Sequence, residues 1–298
     1  MTGAPPHDHS HQHDTHDVDW AELAAASELE AEVLVAILDQ TTARVADLLA
    51  TDGIAVRRII DIGPGPGVGT GALALAFPDA EVIAVDGSDA MLARVDARAA
   101  RLGIADRVRT VHADLPGGLT DLDQAEIVWA GLVMHHIGDE RAALAVIHRV
   151  LVPGGLVVIS EFGDPMRALP DDSEGVPPGF RERLAAAAAE WIAHMREELP
   201  DATVSADYPT MLREAGFELL TDTLVTAHLD PPLVADARAV AVRDLERSRK
   251  HGGDAIDPAD LAALDALLDP DNPDGIMRRP DLFLEGSRHV FIARASAV

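Results

Sequence analysis

Ile59-Ile60-Asp61-Ile62-Gly63-Pro64-Gly65-Pro66-Gly67-Val68-Gly69 is the stretch on which the reading of this chain turns. Ile59 to Ile62 is apolar and β-branched apart from Asp61, the pattern of a short parallel strand covered on both faces. The glycines after it admit positive φ and let the backbone come close to a ligand. Gly71 to Phe77 continues as a helix, and Pro78 stops it. Glu81-Val82-Ile83-Ala84-Val85-Asp86 reads as a second strand ending in an acid. Strand, glycine turn, helix, strand and terminal acid make the first half of a nucleotide-binding α/β fold.

Two ligand classes suit that outline, and chemistry separates them. A dinucleotide site aims backbone N–H groups and a helix N-terminus at a pyrophosphate. Here Pro64 and Pro66 remove two donors from the turn. Asp61 adds a carboxylate that would repel phosphate and attract an ammonium group. S-adenosylmethionine carries an ammonium, a sulfonium and a ribose whose hydroxyls Asp86 could accept. The pattern Asp61-x-Gly63-x-Gly65-x-Gly67 with Asp86 resembles the signature of class I S-adenosylmethionine-dependent methyltransferases. A looser match to the dinucleotide fingerprint, at Gly67, Gly69 and Ala72, begins only after the turn has left the strand.

The resemblance covers roughly Arg57 to Ser160 and, loosely, the final strands. It implies an α/β fold: a doubly wound, seven-stranded, mostly parallel sheet with an antiparallel seventh strand, N-terminal helices, and helical insertions covering the site. It implies S-adenosylmethionine as cofactor. Asp61 would take the ammonium, with Gly63, Pro64 and Gly65 forming the turn around the methionine moiety. Asp86 would take the ribose, with Gly87, Ser88 and Met91 beside it, and Ser88 or Asp89 is also a plausible helix N-cap. Ala113, Asp114 and Leu115, past the strand Val108 to Ala113, would hold the adenine. Ala130 and Gly131, at the end of the strand Ala125 to Gly131, would hold the methionine end.

Composition bounds the rest. The chain has 298 residues, enough to bury a full core without staples. It has no cysteine, which removes disulfides, thiolate metal sites and cysteine nucleophiles. Its formal net charge of -27, with no Lys/Arg-rich block, argues against nucleic acid and acidic membranes as partners. The polar, His-rich start lacks the form of a signal peptide, and no apolar run spans a bilayer. A cytoplasmic protein with a small-molecule acceptor is expected, with a homodimer as a candidate assembly.

Four segments follow. Residues 1–17 read as a disordered tail, in which His7, His9, His11, His13 and His16 are interleaved with Asp8, Asp14 and Asp17. Any metal there would be adventitious, and no metal site is assigned. Residues 18–50 read as an N-terminal helical cap that Ser27 divides. Residues 51–162 form the cofactor-binding core. Residues 163–298 carry its second half, with helical insertions at 163–200 and 230–285. Val152-Pro153-Gly154-Gly155 reads as a turn before the fifth strand, Leu156 to Ser160; the last strand is placed at Arg288 to Ala295.

The catalytic candidates are His135, His136 and Glu161. The two histidines follow the fourth strand, where the family's side chains face the transferred methyl. Glu161 follows the fifth strand, at the edge where open α/β sheets bind ligands; it is a candidate base, with a solvated loop acid as the competing reading. Three functions stay open at this point. One is methyl transfer to an O, N or C atom of a small molecule, as in secondary metabolism. The others are a nucleotide-dependent oxidoreductase and an S-adenosylmethionine-binding protein without methyl transfer.

Overall fold

The computed structural model describes residues 20–114, 117–170, 173–197, 207–252 and 256–296. The histidine-rich tail lies outside them. Seven strands form one sheet: β1 (Arg58–Ile62), β2 (Glu81–Asp86), β3 (Val108–His112), β4 (Ala125–Gly131), β5 (Leu151–Phe162), β6 (Phe217–Leu229) and β7 (Leu284–Ala295). Their order is β3-β2-β1-β4-β5-β7-β6. The first five run parallel, and β7 runs antiparallel to both β5 and β6.

Strand alternation divides the core into two layers. Ile60, Ile62, Val128, Ala130, Val157 and Ile159 point to one face. There they meet Leu144 and Ile147 of α5 (Glu140–Val150), and Met211 and Leu212 of α7 (Tyr208–Glu214). Ile59, Val82, Ile127, Trp129 and Val158 point to the other. There they meet Val45 and Leu49 of α2 (Val35–Thr51), Leu73 of α3 (Val68–Ala76) and Ala99 of α4 (Asp89–Leu102). Both faces are covered, which is why these strands read as continuous apolar runs.

A third apolar cluster stands at the end of the sheet where β6 finishes and β7 begins. It joins α6 (Phe180–Glu197), α8 (Ala235–Gly252) and α9 (Pro258–Leu268) to Leu34, Ile37, Ala227 and Leu284. The two insertions therefore pack on one another. Arg183 of α6 makes a two-pronged ion pair with Asp260 of α9, at 2.6 and 2.7 Å. α1 (Trp20–Val33) is strapped from both sides. Its Glu28 meets Arg94, Arg98 and Arg101 of α4, and its Glu30 meets Arg288 of β7 and Arg247 of α8. No helix among the described residues is long and apolar enough to cross a membrane.

Three boundaries differ from the sequence reading. The N-terminal helix breaks at Leu34 rather than Ser27. Buried Leu34 presses against Gly286 of β7, whose missing side chain makes room for it. Pro153-Gly154-Gly155 is a bulge inside a longer β5, where the register jumps from Ala125–Leu151 to Ile127–Leu156. β7 begins at Leu284, because β6 pairs with it over its full length.

Candidate active site

The strand order reverses between β1 and β4, so the chain leaves the sheet in opposite directions there and opens a crevice at the carboxyl ends. That crevice has a volume of about 550 Å³, within the range of small-molecule sites. Its floor is the glycine turn after β1. Gly63, Gly65 and Gly67 have φ of +61°, +51° and +83°, a region that L side chains rarely enter. The two crevice glycines serve different ends. A Cβ on Gly63 would lie 2.2 Å from Val133 Cγ2, so this glycine lets two backbone segments close on each other. A Cβ on Gly65 would meet nothing within 4 Å, so its open side belongs to the crevice.

Asp86 and Gly87, at the end of β2, form the next wall. The Ser88 N–H donates to Asp86 Oδ1 at 2.8 Å, and Ser88 caps α4. Burial raises the Asp86 carboxyl above its usual range, while the N–H groups of Ser88 and Gly65 and the nearby His112 oppose this. Asp114 faces the same space from the end of β3, with its Oδ1 3.2 Å from the Cβ position of Gly87. Ser88 and Met91 are half-buried on the first turn of α4, and Ala113 is half-buried beside Asp114. Leu115 lies outside the described residues.

Asp61 stands apart from this wall. It is 2% exposed, and strand alternation turns it to the α3 face, where the Thr70 hydroxyl donates to it at 2.6 Å. Burial raises its pKa to about 7, opposed by Thr70 and aided by the charge on Asp86. The expected direct hold on an ammonium is thus corrected: the carboxylate sits beneath the turn. Pro64 is also buried, its carbonyl accepting the Gly67 N–H at 3.0 Å. Ala130 is fully buried in the core on the α5 face, so its side chain is not part of the site. Gly131 keeps its place because a Cβ there would fall 2.9 Å from Trp129 Nε1.

The opposite wall comes from the segment after β4. Leu132 adopts φ +53°, the one non-glycine residue with positive φ among the described residues. Its N–H donates to the Ser160 carbonyl at 2.8 Å, which holds the bend. A single 3-10 turn, Met134–His136, follows. His136 is exposed and lines the crevice with Ile137 and Gly138. Asp139 lines it too and caps α5, accepting the Ala142 N–H at 2.9 Å.

His135 and Glu161 do not line it. Both are buried, at 8% and 7% exposed, and they bind each other, His135 Nδ1 to Glu161 Oε2 at 2.7 Å. Glu161 Oε1 also accepts the Met134 N–H at 3.0 Å. The reading of Glu161 as a solvated loop acid is overturned, and a carboxylate so engaged is not a free base. Alternation explains this: Glu161 shares the buried face of Val157 and Ile159. Phe162 turns the other way and is 50% exposed. The His135 ring packs against both His136 (4.1 Å between centroids) and Phe162 (4.8 Å).

The sequence reading did not single out Leu132, Val133, Ile137, Gly138 or Asp139 as site residues. The small residues Gly63 and Gly138 hint at close approach, but a positive φ at a leucine leaves no sequence signal. Among the described residues no group of three or more His, Asp or Glu stands positioned for a metal ion.

Known proteins resemble this chain in sequence. Residues 59–155, from β1 to the bulge in β5, match the family described as "Methyltransferase domain". Demethylmenaquinone methyltransferase of Clavibacter sepedonicus is 31% identical over 191 residues, covering 62% of this chain and 75% of its own. Trans-aconitate 2-methyltransferase of Methylobacterium radiotolerans is 28% identical over 232 residues, covering 68% of this chain and 85% of its own. Malonyl-[acyl-carrier protein] O-methyltransferase of Halorhodospira halophila is 37% identical over 130 residues, 43% of each chain. The three names carry three acceptors and one reaction class. Glycine turn, strand-end acids, sheet order and relatives converge: the chain belongs to the class I S-adenosylmethionine-dependent methyltransferases.

Proposed function

We propose that this protein transfers a methyl group from S-adenosylmethionine to an O, N or C atom of a small-molecule acceptor. The observation that carries the reading is the crevice floor: Gly65 offers an open backbone face with carboxylates Asp86 and Asp114 beside it. Those acceptor carboxylates suit a cationic adenosyl ligand and oppose a pyrophosphate, which weighs against the oxidoreductase reading. When bound, S-adenosylmethionine supplies an electrophilic methyl group on a sulfonium centre.

The protein's own work is alignment and exclusion of water. Asp86 would accept from the ribose hydroxyls and Asp114 from the adenine amino group. The backbone at Gly63, Gly65 and Leu132 would border the methionine moiety. Asp61 would act from beneath, tying the end of β1 to α3 through the Thr70 hydroxyl. On the acceptor side, the exposed His136 imidazole and the exposed Phe162 ring each pack against the buried His135 ring. An acceptor hydroxyl or phenol must lose a proton, and a His136 ring nitrogen is the exposed base to receive it. The helical layer of α6, α8 and α9 stands on the same sheet edge and would shield the reactants.

Isothermal titration of the full chain tests this. S-adenosylhomocysteine should bind in the micromolar range or tighter, and NAD(P) should not bind. Asp86→Ala should weaken binding at least about tenfold, the cost of a charged hydrogen bond. Binding of NAD(P) in place of S-adenosylhomocysteine removes the reading. Tight S-adenosylmethionine binding with no label passed to any acceptor pool would make the protein a binding module instead.

A further inference from the structure

We infer that Glu161 is a positioning residue: one carboxylate clamps the Met134 N–H and the His135 ring, and so sets the turn that presents His136 to the crevice. The inference rests on the methyl-transfer reading for its purpose, though not for its geometry. Glu161 ends the buried face of β5, a rigid strand paired on both sides. The turn Met134–His136 is a 3-10 piece of three residues, too short to fix itself. Its order must come from outside, and Glu161 supplies it from the neighbouring strand. One oxygen takes a backbone N–H and the other takes an imidazole nitrogen.

The second contact dictates chemistry as well as place. An ionised carboxylate only accepts hydrogen bonds. His135 Nδ1 therefore carries the proton, which fixes that ring's tautomer. The fixed ring is also a spacer, lying between His136 and Phe162. Glu161 thus reaches both exposed rings through His135 while touching neither the cofactor crevice nor an acceptor.

Two variants and three readouts test the clamp. In E161Q the amide oxygen still accepts from Met134, but the amide nitrogen then faces His135 Nδ1 as a donor. The ring must shift its proton to Nε2. Nitrogen NMR of the imidazoles should show Nδ1-protonated His135 in the natural protein and the opposite tautomer in E161Q. Thermal unfolding and S-adenosylhomocysteine titration should leave E161Q near the natural protein, within about threefold in affinity. E161A loses both acceptors, so its affinity should fall about tenfold as the wall of Val133 and Ile137 loosens. An unchanged His135 tautomer in E161Q overturns the clamp, and so does natural affinity in E161A. If E161A fails to fold, the E161Q spectra decide alone. A natural protein that ignores S-adenosylhomocysteine would remove the cofactor reading, while the tautomer comparison would still decide the clamp.

Discussion

Substituting Gly63 by alanine should damage the fold more than the same change at Gly65, although both glycines have positive φ. At +61° and +51° the two backbones carry similar strain for an L residue, about 1–2 kcal/mol each. They differ in what the new methyl meets. At Gly63 it would lie 2.2 Å from Val133 Cγ2 and 2.7 Å from Val133 Cβ, a branched side chain fixed at its root. Overpacking of that kind costs about 1–3 kcal/mol more. Gly63→Ala should therefore lose about 2–5 kcal/mol and Gly65→Ala about 1–2 kcal/mol in urea unfolding followed by circular dichroism. Val133→Ala beside Gly63→Ala removes the 2.2 Å contact with Cγ2 but keeps the 2.7 Å contact with Cβ, so a double-mutant cycle should return a partial coupling of about 1 kcal/mol. Gly65→Ala should show its effect in binding, because its methyl projects into the crevice; S-adenosylhomocysteine affinity should fall more than about tenfold. Equal stability losses for the two alanines, or a cycle with no coupling, would refute the assignment of one glycine to packing and the other to the ligand.

Other perturbations probe the charges. Asp61 holds a proton in the folded state up to about pH 7, whereas the unfolded chain releases it near 3.8. Its contribution is full below the lower value and is lost as pH rises to the upper one. Asp61→Asn should flatten the pH dependence of stability across that window by a few kcal/mol; parallel curves for the two proteins would contradict this. Glu28→Gln removes the shared partner of Arg94, Arg98 and Arg101, leaving Arg98 with Glu32. A loss of about 1–2 kcal/mol with faster hydrogen exchange in α1 is expected, and exchange at the natural rate would show that the strap is idle. Tyr208→Phe removes a 3.0 Å hydrogen bond to Glu140, which is 1% exposed, and should cost about 1–3 kcal/mol in the same unfolding assay.

The core was legible because its signals are local. Apolar runs at Ile59–Ile62 and Leu156–Ile159 mark strands that must be covered on both faces. Ser88 caps α4 and Gly103 ends it in the left-handed conformation, as the residue types require. Asp86, the last residue of β2, and Asp114, two residues past β3, both line the crevice from neighbouring strands, and the acid at or just past each strand end was visible in the sequence. Glu161 was also within reach. Counting by twos from Val157 and Ile159 places it on a buried face, where a carboxylate must have a partner. Asp61 follows the same count from Ile59 and falls under α3.

Other features depend on residues far apart in the chain. The break at Leu34 answers to Gly286, and the closeness of Gly63 answers to Val133. The left-handed turn at Leu132 is held by a carbonyl of β5. The insertions at 163–200 and 230–285 share a core that no single helix pattern announces. By itself the sequence determined which segments are strands, where the glycine turn lies and which strands end in acids. Periodicity, backbone freedom and charge are properties of neighbours along the chain. Only the tertiary structure decided which of His135 and His136 faces the crevice and that Glu161 is spent within the protein. Those outcomes depend on which strand lies beside which, and packing settles that across the whole sheet.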